Sequence, residues 1–119
     1  MNIKASNLIN ARGNDWNNQI VVKYTDDYGY TQYWFTSYGK TIAQVKFCGS
    51  NIAKAITEIT LDNLYWDYSN TTIRALYTFL RDYARVPDTL LNKATINKAL
   101  SAYMPDPDSK FVWLRDNLN

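Results

Sequence analysis

The side chains that most often carry acid–base or metal chemistry are scarce in this chain of 119 residues. It contains no histidine, so the commonest general base and metal ligand is missing. Its one cysteine, Cys48, has no histidine to activate it and cannot form an internal disulfide. The G-x-S-x-G, P-loop and G-x-G-x-x-G motifs do not occur. We therefore predict a protein that is not an enzyme and needs neither cofactor nor metal.

Carboxylates are the remaining candidates for such chemistry, and they fall into three pairs: Asp26 with Asp27, Asp62 with Asp67, and Asp106 with Asp108. The first pair precedes a glycine in a turn pattern, and the second lies between a predicted strand and a predicted helix, where aspartate is common. In the third pair, Pro105 and Pro107 favour a turn over a Mg²⁺ site. Each pair is interpreted as structural.

Arginine suits the binding of phosphates or of an acidic partner, and three arginines recur along one predicted helix. Arg74, Thr78, Arg81 and Arg85 follow the spacing i, i+4, i+7 and i+11, so the three arginines fall within about 40° of one another at roughly 100° per residue. This spacing predicts a single basic edge. The alternative is an ordinary solvated helix face, and Asp82 on its flank lowers the local charge.

Aromatic residues crowd the segment 24–38, which contains Tyr24, Tyr28, Tyr30, Tyr33, Trp34, Phe35 and Tyr38. A half-buried sheet hides only one face, so Tyr33 and Phe35 pointing inward would leave Trp34 outside, and the reverse register would expose Tyr33. Exposed rings bind proteins or stack on single-stranded bases. The alternative is cross-strand pairing that only stiffens the sheet. The partner-binding candidates are Tyr28, Tyr30, Trp34 and Tyr38, together with Arg74, Arg81 and Arg85.

The elements that position these residues predict one α+β domain. Four strands are expected to form an antiparallel meander, with a fifth returning late in the chain: Gln19–Thr25, Tyr30–Thr36, Thr41–Phe47, Ala55–Leu61 and Lys110–Leu114. Before them we expect a short helix over Ala5–Ala11, capped by Ser6 and stopped by Gly13, and a polar loop over Asn14–Asn18. The expected sheet therefore has four to five strands.

The second half of the chain is predicted to be helical, so that two to three helices pack on one face of the sheet. A helix begins at Ser69 or Asn70 and ends near Arg85, before Val86-Pro87. A second helical stretch runs from Pro87 to Tyr103, split near Thr95, and residues 104–109 form a break. Trp66 is predicted to fill the core between sheet and helix, and Asp67 or Ser69 to cap the helix.

Charge excludes two functional classes. Thirteen Lys and Arg against eleven Asp and Glu give a net charge of +2. A DNA mimic needs a dense array of carboxylates, and a strong electrostatic nucleic-acid binder needs more positive charge. No apolar run approaches the roughly 18 residues of a membrane span, and the N-terminus lacks the apolar stretch of a secretory signal. We expect a cytoplasmic protein without a membrane partner.

The block Tyr65–Ser69, followed by Thr71 and Thr72, is unusual. It combines with other residues in a fixed order: Ser37-Tyr38 with Ile42-Ala43 upstream, then Phe79-Leu80 on the helix and Asn117–Asn119 at the end. Over roughly residues 30–119 this order resembles a family of small uncharacterised proteins encoded by phages and mobile elements of Gram-positive bacteria. The family has no assigned activity, so the resemblance implies a setting and no site residues.

Two functional hypotheses follow. The first is a non-enzymatic protein that binds a host protein; the mobile-element setting suggests an inhibitor of a defence nuclease such as a CRISPR effector, in the manner of an anti-CRISPR protein. The second is a single-stranded nucleic-acid-binding module that uses the hairpin aromatics and the arginine edge. Whether the aromatic hairpin also forms a homodimer is left open by the sequence.

Overall fold

The computed structural model describes residues 2–48, 56–102 and 109–119. Within them the chain forms an α+β fold, as predicted, with six strands instead of four or five and with two α-helices. The strands are β1 (Asn2–Ile9), β2 (Asp15–Thr25), β3 (Thr31–Ser37), β4 (Lys40–Cys48), β5 (Ile56–Asp62) and β6 (Phe111–Asp116). The helices are α1 (Asn70–Ala84) and α2 (Lys93–Leu100), separated by a 3₁₀ turn at Asp88–Leu90.

The six strands form one sheet whose spatial order follows the chain, β1 to β6. Each of the first four strands pairs antiparallel with the next, which confirms the predicted meander. The last pair is different, because β6 runs parallel to β5. A parallel partner needs a long crossover, and the helical segment between β5 and β6 provides it.

The prediction for the N-terminal residues was wrong. Ala5–Ala11 was expected to be a helix, but β1 occupies this region and pairs with β2, with Ser6 opposite Val21. Gly13, expected to stop that helix, instead lies in the turn between β1 and β2 with φ +80°. The expected polar loop is largely strand as well, since β2 already begins at Asp15. A short apolar run fits either structure, and here pairing with β2 decides it.

Side chains that alternate along the sheet pack beneath α1 to form the core. The buried strand residues include Val21, Phe35, Ala43, Val45, Ile59 and Leu61, and α1 contributes Ala75, Leu76, Phe79 and Leu80. Phe35 stacks on Phe79 with ring centroids 5.3 Å apart, which ties the sheet to the helix. Trp66 is 3% exposed and belongs to the same core, as predicted.

The predicted boundaries of α1 are correct to within one residue. Ser69 is the N-cap residue, and its side chain accepts a hydrogen bond from the Thr72 amide at 3.1 Å. The helix ends at Ala84, because Arg85 adopts a left-handed conformation with φ +56° and the Val86 amide donates to the Leu80 carbonyl.

The second predicted helical stretch is interrupted at Asn92, which caps α2 through a hydrogen bond from the Thr95 amide. Three predicted features lie outside the described residues. They are the end of this helical stretch at Tyr103, most of the break at 104–109 with the Asp106 and Asp108 pair, and the start of the fourth predicted strand at Ala55.

Candidate partner-binding surfaces

One face of the sheet packs under α1, and the opposite face, here called the open face, remains accessible. Strand pairing places two rows of side chains across it. One row contains Ile3, Tyr24, Gln32, Lys46, Glu58 and Val112, and the other contains Ala5, Val22, Trp34, Gln44, Thr60 and Leu114. Most of these side chains are exposed or half-buried, with Thr60 the buried exception. The open face is therefore a broad, mixed surface, in which seven of these twelve side chains are apolar or aromatic and five are polar.

Trp34 lies in the middle of the open face and is held by Gln32, which a second glutamine, Gln44, holds in turn. Its indole Nε1 donates to Gln32 Oε1 at 2.9 Å, and Gln44 Nε2 donates to the same oxygen at 2.8 Å. The indole N–H and one Gln44 donor are therefore satisfied inside the protein. What the tryptophan offers to a partner is its ring, in a fixed position.

The open face carries little charge. The two rows cross all six strands and together contain one lysine and one glutamate, Lys46 and Glu58. These two residues lie directly opposite each other on β4 and β5, where unlike charges stabilise a strand pair. The rows therefore have no net charge to attract a phosphate backbone.

The predicted aromatic candidates do not share one surface. Tyr28 and Tyr30 are 88% and 61% exposed in the β2–β3 turn, where Asp26 Oδ1 accepts hydrogen bonds from both of their amides. This turn lies at the same end of the sheet as Tyr24, which belongs to the open face. Tyr38 lies at the opposite end of β3, in a left-handed conformation with φ +49°.

Of the two registers considered for the hairpin, the one with Tyr33 and Phe35 inward is correct. Phe35 is fully buried, and the Tyr33 ring packs against Tyr83 of α1 at a centroid distance of 5.0 Å. Tyr33 also meets Phe47 edge to face at 6.0 Å. Trp34 consequently faces away from α1, as that register predicts.

On the helix side of the molecule, three arginines line one cavity, here called the arginine pocket. Its volume is about 580 Å³, and α1 and the β1–β2 region form its walls. The lining residues are Asn10, Ala11, Arg12, Trp16, Arg74, Tyr77, Thr78 and Arg81. Arg74 and Arg81 were predicted candidates, whereas Arg12, Trp16 and Tyr77 were not recognised from the sequence.

The arginines in this pocket are only partly neutralised. Arg81 Nε lies 2.9 Å from Asp88 Oδ1, in a pair whose side chains are both more than half exposed. Such pairs contribute little to stability. Neither Arg12 nor Arg74 has a side-chain ion pair within the described part of the chain. Burial raises the pKa of the Tyr77 hydroxyl, so that side chain stays neutral at physiological pH.

Arg85 does not continue the arginine edge. The spacing argument assumed a helix through residue 85, but α1 ends one residue earlier and Arg85 turns into the left-handed region. Its side chain lines a different cavity, together with Tyr33, Phe47, Asp82, Tyr83, Lys110 and Phe111. The predicted basic edge is therefore split between two sites.

The carboxylates that the structure describes have structural roles. Asp26 orders the β2–β3 turn, and Asp67 lies 3.4 Å from Lys93. Asp62 accepts three backbone N–H groups, those of Leu64, Tyr65 and Leu118. Within residues 2–48, 56–102 and 109–119, no three His, Cys, Asp or Glu side chains are grouped closely enough to hold a metal ion.

Comparisons with protein families, with curated proteins and with solved structures found no match to this chain. In the described part of the chain, neither helix has the length and apolar character needed to cross a membrane.

Proposed function

We propose that the protein acts by contact, without catalysis, and that it binds another protein through the open face of its sheet. The observation that supports this function is the pair of rows around Trp34, which together are broad, hold seven apolar or aromatic side chains among twelve, and carry no net charge. Exposed apolar side chains mark interaction sites, and a tryptophan that becomes buried on binding is among the commonest energetic centres of protein interfaces.

The biological setting of this proposal comes from the family resemblance. A small accessory protein of a phage or mobile element, acting in the cytoplasm of a Gram-positive host, would meet the host's defence proteins. We therefore take the partner to be a host defence nuclease, such as a CRISPR effector, and the result of binding to be its inhibition. Because the two rows are mixed in polarity and carry no net charge, they favour a partner surface without a dense charge of either sign.

Charge and placement favour this proposal over single-stranded nucleic-acid binding. Binding of a single strand combines a basic groove with stacking rings along one path. Here Trp34 lies on the open face, whereas Arg74 and Arg81 line a pocket on the helix side. The open-face rows themselves hold Lys46 as their only cation.

A pair of matched leucine substitutions tests the open face. Leu114 on the open face is 41% exposed, and Leu64 in the loop after β5 is 72% exposed, so Lys at either position leaves the core intact. Tagged wild type, Leu114→Lys and Leu64→Lys are used to capture partners from a Gram-positive host lysate, and the captured nuclease is then purified and assayed for inhibition. A buried lysine in the interface replaces a leucine worth about 1.5–3 kcal/mol, so affinity should fall at least about tenfold.

The expected result is that wild type and Leu64→Lys capture and inhibit the same nuclease, and that Leu114→Lys and Trp34→Ala do neither. Equal capture by all four proteins would contradict the role of the open face. A wild type that forms a dimer, captures no nuclease, and becomes monomeric only in Leu114→Lys would show a homodimer interface instead. Salt-sensitive binding of a single-stranded oligonucleotide, weakened by Trp34→Ala, would support the nucleic-acid alternative.

A further inference from the structure

The geometry points to the arginine pocket as a binding site for a small nucleoside phosphate, such as a nucleoside mono- or diphosphate. This site lies on the helix side of the sheet and is independent of the open face, so neither proposal depends on the other. The inference rests on the elements that form the pocket, on its charge, and on the two aromatic side chains in its wall.

One wall of the pocket is a stripe of α1. Arg74, Tyr77, Thr78 and Arg81 follow the helical spacing i, i+3, i+4 and i+7, which places them on a single face. Thr78 Oγ1 donates to the Arg74 carbonyl at 3.2 Å, so its hydroxyl is turned back toward the helix. This face therefore presents two guanidinium groups with a tyrosine ring between them.

The opposite wall is the turn between β1 and β2, and it is well ordered by hydrogen bonds. Asn10 Oδ1 accepts hydrogen bonds from the amides of Arg12 and Asn14, at 3.0 and 3.1 Å. The backbone N–H of Asn10 in turn donates to the backbone carbonyl of Asn14 at 2.9 Å, and Gly13 adopts the positive φ that this turn contains. The turn therefore holds the backbone of Arg12 in place without restraining its guanidinium group.

Trp16 is anchored beside this turn. Its ring is half-buried and packs against the core, and its carbonyl accepts a hydrogen bond from Asn7 Nδ2 at 3.0 Å. Tyr77 on the helix is also half-buried against the core. Because both rings are held by packing, the apolar part of the pocket is already formed before a ligand binds.

The charge of the pocket suits a phosphate. Three guanidinium groups line it, and Asp88 pairs with one of them, which leaves two positive charges without a described partner. A phosphate monoester carries close to two negative charges at neutral pH, and arginine forks bind its oxygens in pairs. Phosphate would also compete with Asp88 for Arg81, in a pair that solvent already weakens.

The size of the pocket and its aromatic rings suit the nucleoside part of the ligand. A cavity of about 580 Å³ falls within the range of small-molecule sites, roughly 300–1,000 Å³. A nucleobase can stack on or lie against aromatic rings such as Trp16 and Tyr77 while its phosphate reaches the arginines. A long single strand would need a basic path beyond the pocket, and Arg85 is turned away to another cavity.

Calorimetric titration of the full-length protein tests this site. The probes are ADP and AMP, with adenosine, ribose 5-phosphate, inorganic phosphate and a short oligothymidylate as comparison ligands. The variants are Arg12→Ala, Arg74→Ala and Arg74→Lys, and the control is Arg115→Ala, which removes an exposed arginine of β6 that does not line the pocket. Circular dichroism confirms that each variant is folded.

We expect ADP or AMP to bind at least about tenfold more tightly than adenosine, ribose 5-phosphate or inorganic phosphate, because losing a charged hydrogen bond or a ring contact has about that effect. Arg12→Ala and Arg74→Ala should each weaken binding about tenfold or more. Arg74→Lys should weaken it too, since lysine keeps the charge but lacks the fork. Arg115→Ala should bind like wild type.

Four results would overturn the proposal. They are the absence of ADP and AMP binding at millimolar concentration, equal affinity for ribose 5-phosphate or inorganic phosphate, unchanged affinity in both arginine-to-alanine variants, and tighter binding of the oligothymidylate than of ADP. The last result would assign the pocket to a nucleic-acid strand. None of these results bears on whether the open face binds a protein.

Discussion

Replacing Asp62 by asparagine should reveal how strongly one carboxylate joins three parts of the fold. Asp62 is 1% exposed at the end of β5. Its Oδ2 accepts hydrogen bonds from the amides of Leu64 and Tyr65, at 3.0 and 2.9 Å, and its Oδ1 accepts one from the Leu118 amide at 2.8 Å. The carboxylate thus fixes both the loop that leads toward Trp66 and the C-terminal residues.

The magnitude follows from those three bonds. Asparagine keeps the shape of the side chain, but one oxygen becomes an NH₂ group that cannot accept a hydrogen bond. At least one backbone N–H loses its acceptor, and hydrogen bonds to a charged group contribute about 1.5–3 kcal/mol each. We expect Asp62→Asn to lower the free energy of unfolding by about 2–4 kcal/mol at pH 7, a large share of the stability of a small domain.

The pH dependence has a definite sign. Burial alone would raise the pKa of Asp62, but the hydrogen bonds from Leu118, Leu64, Tyr65 and the Asn119 side chain outweigh it and hold the pKa below its ordinary value of 3.8. A carboxyl whose pKa is lower in the folded state stabilises the fold above its unfolded pKa. That contribution is lost as the pH falls through the folded pKa.

Urea unfolding measures both the loss of stability and its pH dependence. Wild type and Asp62→Asn are unfolded in steps from pH 7 to pH 3, and unfolding is followed by circular dichroism. The difference in unfolding free energy between the two proteins should stay constant from pH 7 to about pH 5 and shrink below about pH 4. Equal stability at pH 7, or a difference that widens in acid, would refute this account of Asp62.

Three further changes test the core and the helix cap by the same unfolding assay. Gln19 is fully buried, and neither its Oε1 nor its Nε2 has a hydrogen-bond partner. Gln19→Leu should therefore raise the unfolding free energy by about 1 kcal/mol or more. A lower unfolding free energy in this variant would mean that the Gln19 amide makes hydrogen bonds in the folded protein. Ser69→Ala should lower the unfolding free energy by about 0.5–2 kcal/mol, because the helix loses its cap, whereas Ser69→Asp should lower it little. Equal decreases in the two variants would show that Ser69 does not stabilise the helix by capping. Trp66→Ala should lower the unfolding free energy by about 3–5 kcal/mol, and a variant of unchanged stability that only loses its partner would show that Trp66 belongs to a binding site.

Much of the fold could be predicted because local patterns and tertiary packing agree. The hairpin of β2 and β3 follows from alternation around the Asp26–Gly29 turn, and α1 follows from its cap at Ser69 and its apolar stripe. Such agreement between local and global preference is what makes an element predictable. The register that buries Phe35 was one of two considered, and packing against Phe79 distinguishes them.

The first strand could not be predicted, because its pattern is too short to separate strand from helix. Leu8 and Ile9 are adjacent apolar residues, and Gly13 after them resembles a helix stop. What makes the region a strand is hydrogen bonding to β2, which local spacing does not encode.

That missing strand also hid half of the arginine pocket. Arg74 and Arg81 were found from helical spacing, but Arg12 and Trp16 face them only because the β1–β2 turn folds against α1. The signal that could have found them was the Arg12-Gly13 turn followed by Trp16, had it been interpreted as a hairpin turn. Arg85 was misplaced for a different reason. The helical spacing was extended to residue 85, one residue beyond the end of α1.

The central claim is that the open face of the sheet binds a protein, and Leu114→Lys measured against Leu64→Lys tests it most directly. Both variants place one lysine at an exposed leucine, and only Leu114 lies in the row that contains Trp34. With the captured nuclease immobilised, we predict that Leu64→Lys binds like wild type and that Leu114→Lys binds at least about tenfold more weakly. Equal affinities of the two variants for that nuclease would contradict the claim.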